Sequence, residues 1–181
     1  IGWISTKSAA GALNLAPYSY FNALSSNPWL VMFSASGEKD SVVYARETGE
    51  FTVNLVSAHL TDAMVMSSIA APRGVDEFEL AGLTPEPGSM VAAPRVKEAF
   101  AALECKLTEI WRPRSFSRPG AAPFVVTGEV VGVFIDERIL TDGLVDIAKA
   151  RPVSRLGYLD YSVTETSFAK VRPQWTPPSE G

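Results

Sequence analysis

Two segments combine residue types that can hold a ligand. In Ser36-Gly37-Glu38-Lys39-Asp40-Ser41 a strand-like run ends, a glycine loop follows, and Lys39 stands just ahead of a helix-like stretch that Ser41 can cap. A helix start directs free backbone N–H groups and the positive end of the helix dipole outward. With the charge of Lys39 and the hydroxyl of Ser41 added, the expected chemistry is capture of an anion such as a phosphate. The same residues also describe a capped helix beside a solvated lysine. The second segment, Asn14 to Pro28, interleaves the rings of Tyr18, Tyr20 and Phe21 with Ser19, Asn22, Ser25 and Ser26. Flat surfaces mixed with hydrogen-bonding groups suit a planar, polar-edged ligand with an anionic tail, and equally describe a hydroxyl-rich turn between strands.

Other chemistry is poorly supplied. There is one histidine, His59, and one cysteine, Cys105, so neither a multi-histidine metal site nor an internal disulfide is available. No G-x-S-x-G, Walker A, G-x-G-x-x-G or H-E-x-x-H motif occurs. No catalytic side chain and no metal ligand is therefore expected. His59 reads as a strand-end or helix-start residue, Cys105 as a core thiol, and Trp3 and Trp29 as core or dimer-interface anchors. Asn54 fits either an outward strand position or the phosphate side of a site.

The elements that must position these residues are mostly strands. Trp29 to Phe33 is continuously apolar after Pro28, as in a strand buried on both faces. Phe51 to Leu55 and Leu103 to Leu107 alternate, and Phe124 to Ile135 is long enough that Gly128 and Gly132 predict a bulged, bent barrel strand. Three short helices are expected: Ser41 to a stop at Gly49, Thr61 to about Ser68, and one starting near Asp142 or Val145 and ending before Pro152. The proline- and glycine-rich stretch from Ala70 to Val96 reads as a surface excursion of the kind that covers sites. Arg112 to Gly120 reads as a basic insertion, usually a solvated loop, and Pro173 to Gly181 as an extended tail.

Length and composition bound the partners. The 181 residues allow one domain, expected over 1–172 with the tail at 173–181, and 46% hydrophobic residues suffice for a core. A net charge of -4 lacks the basic footprint of nucleic-acid binding, and no apolar stretch approaches the ~20 residues of a membrane helix. The lone cysteine suits a reducing cytoplasm, and Ile1 to Ser5 is strand-like with no basic segment before an apolar one.

Taken together, the residues resemble the flavin reductase-like, FMN-binding split-barrel family. The resemblance rests on Ile1-Gly2-Trp3-Ile4-Ser5-Thr6, Asn14-Leu15-Ala16-Pro17-Tyr18-Ser19-Tyr20-Phe21-Asn22 with Ser25-Ser26-Asn27-Pro28, Lys39-Asp40-Ser41 and Gly49 to Leu55. Val75-Asp76-Glu77-Phe78, Gly128-Glu129-Val130-Val131 and Pro152 to Gly157 extend it to about Arg172. It implies a mainly β fold: a Greek-key antiparallel barrel with a few short helices. It also implies a homodimer with FMN at the interface. Tyr18, Ser19, Tyr20, Phe21 and Asn22 would line the ring and ribityl chain. Ser25, Ser26, Lys39, Asp40 and Ser41 would approach the phosphate, with Arg155 as a further contact. The implied activity passes hydride from NAD(P)H to a flavin; the alternative is an electron-transfer or partner-docking flavoprotein without turnover. Departures from the family pattern are Ser41 for threonine, Trp29 for a second proline, Tyr158 after Gly157, and the 112–120 insertion.

Overall fold

The computed structural model describes residues 1–175. The first four strands are two hairpins: β1 (Gly2–Lys7) with β2 (Leu13–Tyr18), and β3 (Phe21–Ser26) with β4 (Trp29–Ala35). Helix α1 (Asp40–Thr48) leads to β5 (Glu50–Asn54), and α2 (Thr61–Met66) and α3 (Glu77–Leu80) follow. The short β6 (Pro85–Glu86) and β7 (Arg95–Val96) precede the long β8 (Ala101–Trp111) and β9 (Phe124–Ile135). The chain continues through β10 (Leu140–Thr141), β11 (Leu144–Val145), α4 (Ile147–Ala150), β12 (Val153–Arg155) and β13 (Tyr161–Val163).

Seven strands make one antiparallel sheet in the order β2-β1-β5-β8-β9-β4-β3. The α1-bearing connection carries the chain from β4 across to β5, so β4 lies beside β9, which is the Greek-key step. The two edge strands, β2 and β3, are joined by only Ser19 and Tyr20, so the sheet must curl until its edges face each other. The Tyr18 ring of one edge packs tilted against Phe33, beside the other edge, at 4.8 Å between centroids; the Ser34 N–H donates to Tyr20 O at 2.9 Å, extending the β3–β4 pairing one step past Phe21 and Phe33. No ladder joins β2 to β3, which leaves the barrel split along that line.

Alternation decides the packing. Ile4 faces the barrel interior with Val31, Phe33, Phe51, Val53, Cys105 and Val126, while its neighbour Trp3 faces the opposite side with Leu15, Leu60, Met64, Phe78 and Val96. The bulge expected in β9 is present at Val131, opposite Glu104 and Cys105, while a second register shift, between Leu107 and Glu109, puts its extra residue, Thr108, in β8. A Cβ at Gly128 would sit 2.5 Å from the Phe51 ring, so only glycine lets that ring reach the strand.

Other expectations need correction. The stretch Asn14 to Pro28 is two edge strands, not one turn; edge strands tolerate Pro17 and exposed hydroxyls, so clean alternation is not required of them. Helix α1 starts at Asp40 with Lys39 as N-cap, because Ser41 spends its hydroxyl on a distant side chain instead of capping; Gly49 ends it at φ +72°. Helix α2 stops at Met66, and the third expected helix shrinks to α4, capped by Asp146 after the β10–β11 hairpin. The 70–96 excursion is partly core, burying Phe78, Val91, Ala93 and Val96. Asn54 faces neither solvent nor a phosphate: its amide donates to Trp3 O and Ser5 Oγ, both at 3.1 Å, and accepts the Val96 N–H at 2.8 Å. Among the described residues no helix is long and apolar enough to cross a membrane, and no group of side chains could hold a metal ion.

Candidate functional site

The split of the barrel opens into a cavity of about 480 Å³, within the roughly 300–1,000 Å³ range of small-molecule sites. One wall is the end of β2 with the Ser19–Tyr20 link; a second is Ser34 and Ser36 at the end of β4. The start of α1 supplies Lys39, Asp40 and Ser41, and the segment after α2 supplies Ser67 to Ala71 and Arg73. Asn14 and Glu77 form part of the remaining lining.

The start of α1 is an anion corner. The N–H groups of Val42 and Val43 both return to Lys39 O, at 2.9 and 3.0 Å, whereas the N–H groups of Asp40 and Ser41 have no acceptor among the described residues. Two free donors and the positive helix end therefore stand at the cavity wall. Lys39 is exposed and pairs with no carboxylate among the described residues. Asp40 brings a negative charge that its neighbours offset. Arg73 Nη1 lies 3.3 Å from its Oδ1, while the Gly74 N–H at 3.1 Å and the Tyr44 hydroxyl at 3.4 Å donate to its Oδ2.

Beneath this corner runs a buried polar relay. Glu77, on α3, accepts the Leu15 N–H and the Asn14 amide on Oε2, both at 3.0 Å. Committing the Asn14 NH2 to that carboxylate turns its Oδ1 toward the Ser41 hydroxyl, which donates at 2.6 Å, and the Thr6 hydroxyl, which donates at 3.3 Å. Burial pushes the Glu77 carboxyl up from its ordinary value against the hydrogen bonds from Leu15 and Asn14. Burial likewise pushes the Tyr18 phenol up to about 12, with the adjoining Ser41 hydroxyl acting the other way, so the phenol keeps its proton throughout the neutral range.

Of the residues singled out in the sequence, Tyr18, Ser19, Tyr20, Lys39, Asp40 and Ser41 meet in this cavity. Phe21 instead packs its ring over Gly2, where a Cβ would lie 2.5 Å from it. Asn22 and Ser26 are exposed on β3, and Ser25 Oγ accepts the Asn27 N–H at 3.1 Å in the hairpin turn. Arg155 is held by the β12–β13 hairpin, donating to the Tyr161 hydroxyl at 2.8 Å and to Tyr158 O. His59 lies in the 3₁₀ turn before α2, and Cys105 is buried in the barrel with its thiol pushed up to about 12 by burial. Trp3 is fully buried and donates its indole N–H to Ser67 Oγ at 2.9 Å, while Trp29 is 57% exposed. Sequence reasoning did not single out Arg73 or Glu77 as cavity residues, and it marked Asn14 only as the first residue of a candidate ligand segment. Their roles depend on partners 33 to 63 positions away, for which neighbouring residues carry no signal.

A curled antiparallel sheet of this strand order, split beside a cavity with an anion corner, defines a split barrel of the flavin reductase-like kind. The chain belongs to the flavin reductase like domain family, which matches residues 1–153. An uncharacterized protein of Aquifex aeolicus is 40% identical over 163 residues, covering 87% of this chain and 80% of its own. Among solved structures, nitrilotriacetate monooxygenase component B from Bacillus cereus is similar at TM-score 0.84 and 30% identity, covering 93% of this chain and 85% of that one. Flavoredoxin of Desulfovibrio vulgaris (Miyazaki F) is similar at TM-score 0.81 and 27% identity, covering 93% and 88%.

Proposed function

We propose that the chain is an FMN-binding flavin oxidoreductase that takes hydride from NAD(P)H. The observation that carries this reading is the pair of free N–H groups at Asp40 and Ser41, beside Lys39, opening onto a cavity walled by tyrosine. A terminal phosphate fits that corner: two backbone donors and one ammonium match its oxygens, and Arg73 stands within reach while it neutralises Asp40. The Tyr18 phenol, which adjoins Ser41 at the same corner, keeps its proton there, and Tyr20 offers a flat exposed face in the cavity wall. Tyr20 is 77% exposed, so the cavity stays open on that side to a second flat ring. When bound, FMN supplies the hydride chemistry itself. The protein's task is to bind, orient and shield.

Homodimerisation belongs to this reading. Leu24 and Trp29, 54% and 57% exposed, give the β3–β4 hairpin an apolar surface suited to a second copy. Asn22, Ser25, Ser26 and Arg155, which do not line the cavity within one chain, stand as candidates for ligand contacts in the dimer. A second reading, an electron-transfer flavoprotein without turnover, is favoured by the likeness to flavoredoxin. The experiment is desalting after incubation with FMN, followed by NADH and NADPH oxidation with free flavin. Retained FMN with steady oxidation supports the reductase; retained FMN without oxidation supports the carrier; no binding at any FMN concentration overturns both.

A further inference from the structure

A turn of about two residues would join β8 to β9, yet residues 112–123 are spent on the connection. From Ile110 to Gly128 the chain holds three arginines and no acidic residue, in a protein whose net charge is -4. Arg112 latches the base of this loop: its guanidinium donates to Ala122 O at 2.7 and 3.0 Å and to Gly120 O, and lies 5.1 Å over the Phe124 ring. Inside the latch Ser115 Oγ accepts the Arg118 N–H at 3.1 Å, and Arg118 O accepts the Ala121 N–H at 3.1 Å. Arg114 and Arg118 thus flank the Ser115 turn, with Phe116, 90% exposed, between them. Neither arginine forms an ion pair among the described residues.

Sheet register roots this tip beside the cavity. The Tyr20–Ser34 hydrogen bond continues through the pairs Ser34–Val125 and Val125–Trp111, so Tyr20, Ser34, Val125 and Trp111 form one row across neighbouring strands. At about 4.8 Å per strand, Val125 and Trp111 at the two roots of the loop stand about 10 and 15 Å from Tyr20. Ser34 and Ser36 belong to the cavity wall, and Ala35 between them pairs with Phe124.

We propose that Arg114 and Arg118 bind the 2′-phosphate of NADPH, with Phe116 against its adenine, so that this loop makes the chain prefer NADPH to NADH. The inference rests on the reductase reading above and names the donor which that reading leaves open. A phosphate monoester carries about two negative charges, and two guanidinium groups without carboxylate partners match them with forked hydrogen bonds. A purine offers a flat face on which an exposed phenyl ring stacks. The pyrophosphate lies midway along a dinucleotide, whereas the 2′-phosphate lies at its far end with the adenine. A nicotinamide at the open side by Tyr20 therefore leaves that far end to the loop, where arginine and an exposed ring occur together.

The test titrates the FMN-loaded protein with adenosine 2′,5′-bisphosphate and with 5′-AMP by calorimetry, wild type beside the double variant Arg114→Ala/Arg118→Ala. Both side chains are exposed, and Arg112, which latches the loop, is left in place. Wild type is expected to bind the bisphosphate at least tenfold more tightly than AMP, and the double variant to bind the two within about twofold, charge-assisted hydrogen bonds being worth that factor. In steady state the ratio of kcat/KM for NADPH to that for NADH should fall at least tenfold in the variant. Equal affinity of wild type for the two nucleotides, or a preference that survives the double substitution, makes the tip a solvated loop and overturns the proposal, as does a wild type that prefers NADH. A bisphosphate preference without oxidation of either dinucleotide supports the phosphate contact and overturns the reductase reading instead.

Discussion

Replacing Glu104 by Gln tests how the segment from Gly88 to Val91 is pinned to β8. The carboxylate is 4% exposed and takes four donors: the Ser89 N–H and hydroxyl on Oε1, both at 3.0 Å, and the N–H groups of Met90 and Val91 on Oε2, at 2.6 and 3.0 Å. Glutamine keeps the shape but has one oxygen. With that oxygen toward Met90 and Val91, its NH2 faces Ser89, whose hydroxyl can turn to accept while its N–H goes unpaired. One charge-assisted bond of about 1.5–3 kcal/mol is lost, and the others fall to neutral bonds of about 0.5–1.5 kcal/mol. Set against the smaller desolvation cost of an amide, the net loss is about 2–4 kcal/mol, or about 10 °C in Tm for a chain of this length. The pH dependence is a second signature. Burial raises the Glu104 carboxyl, but the bonds from Ser89, Met90 and Val91 together outweigh it and hold the group below its ordinary 4.5. A depressed carboxylate stabilises the fold above the unfolded value and loses that contribution as pH falls through the folded one. Thermal melts followed by circular dichroism from pH 7 to pH 3 should therefore show the gap between wild type and Glu104→Gln closing below about pH 4.5. A gap of under about 1 °C at pH 7, or one that does not change with pH, refutes the reasoning.

Gly128→Ala places a Cβ 2.5 Å from the ring of fully buried Phe51 and 3.0 Å from Lys106 O, so urea denaturation should show a loss of about 1–3 kcal/mol despite alanine's better strand propensity. Lys39→Ala should weaken FMN by about 1.5–3 kcal/mol and riboflavin, which lacks the phosphate, hardly at all; calorimetric titration reads both. Arg73→Ala should leave Tm nearly unchanged, since its ion pair with Asp40 is 55% exposed on the arginine side, while still weakening FMN more than riboflavin in the same titration.

Much of the barrel was legible because its interior strands obey local rules. Phe51, Val53 and Cys105 alternate as a half-buried surface requires, and Gly128 marks the bend where Phe51 needs the space. The edges were illegible for the converse reason: β2 and β3 are paired on one side only, so they carry Pro17, Ser25 and Ser26, which locally read as turn chemistry. The anion corner was visible in Lys39-Asp40-Ser41, but the start of α1 was displaced. A serine looks like a cap until its hydroxyl is seen to reach Asn14, 27 positions earlier. Likewise, nothing in their local sequence marks Glu77 or Glu104 as buried. Only the fold brings the backbone donors that make their burial bearable.

A sheet left unzipped has two raw edges, and raw edges are where chains stick to one another in fibrils and swapped dimers. Here the edges are disarmed by the same features that shape the cavity. Pro17 removes an N–H from β2, the register of β3 breaks between Ala23 and Ser25, and the Ser19–Tyr20 link holds the two edges toward each other instead of outward. Lending a strand to a second copy is thereby made costly.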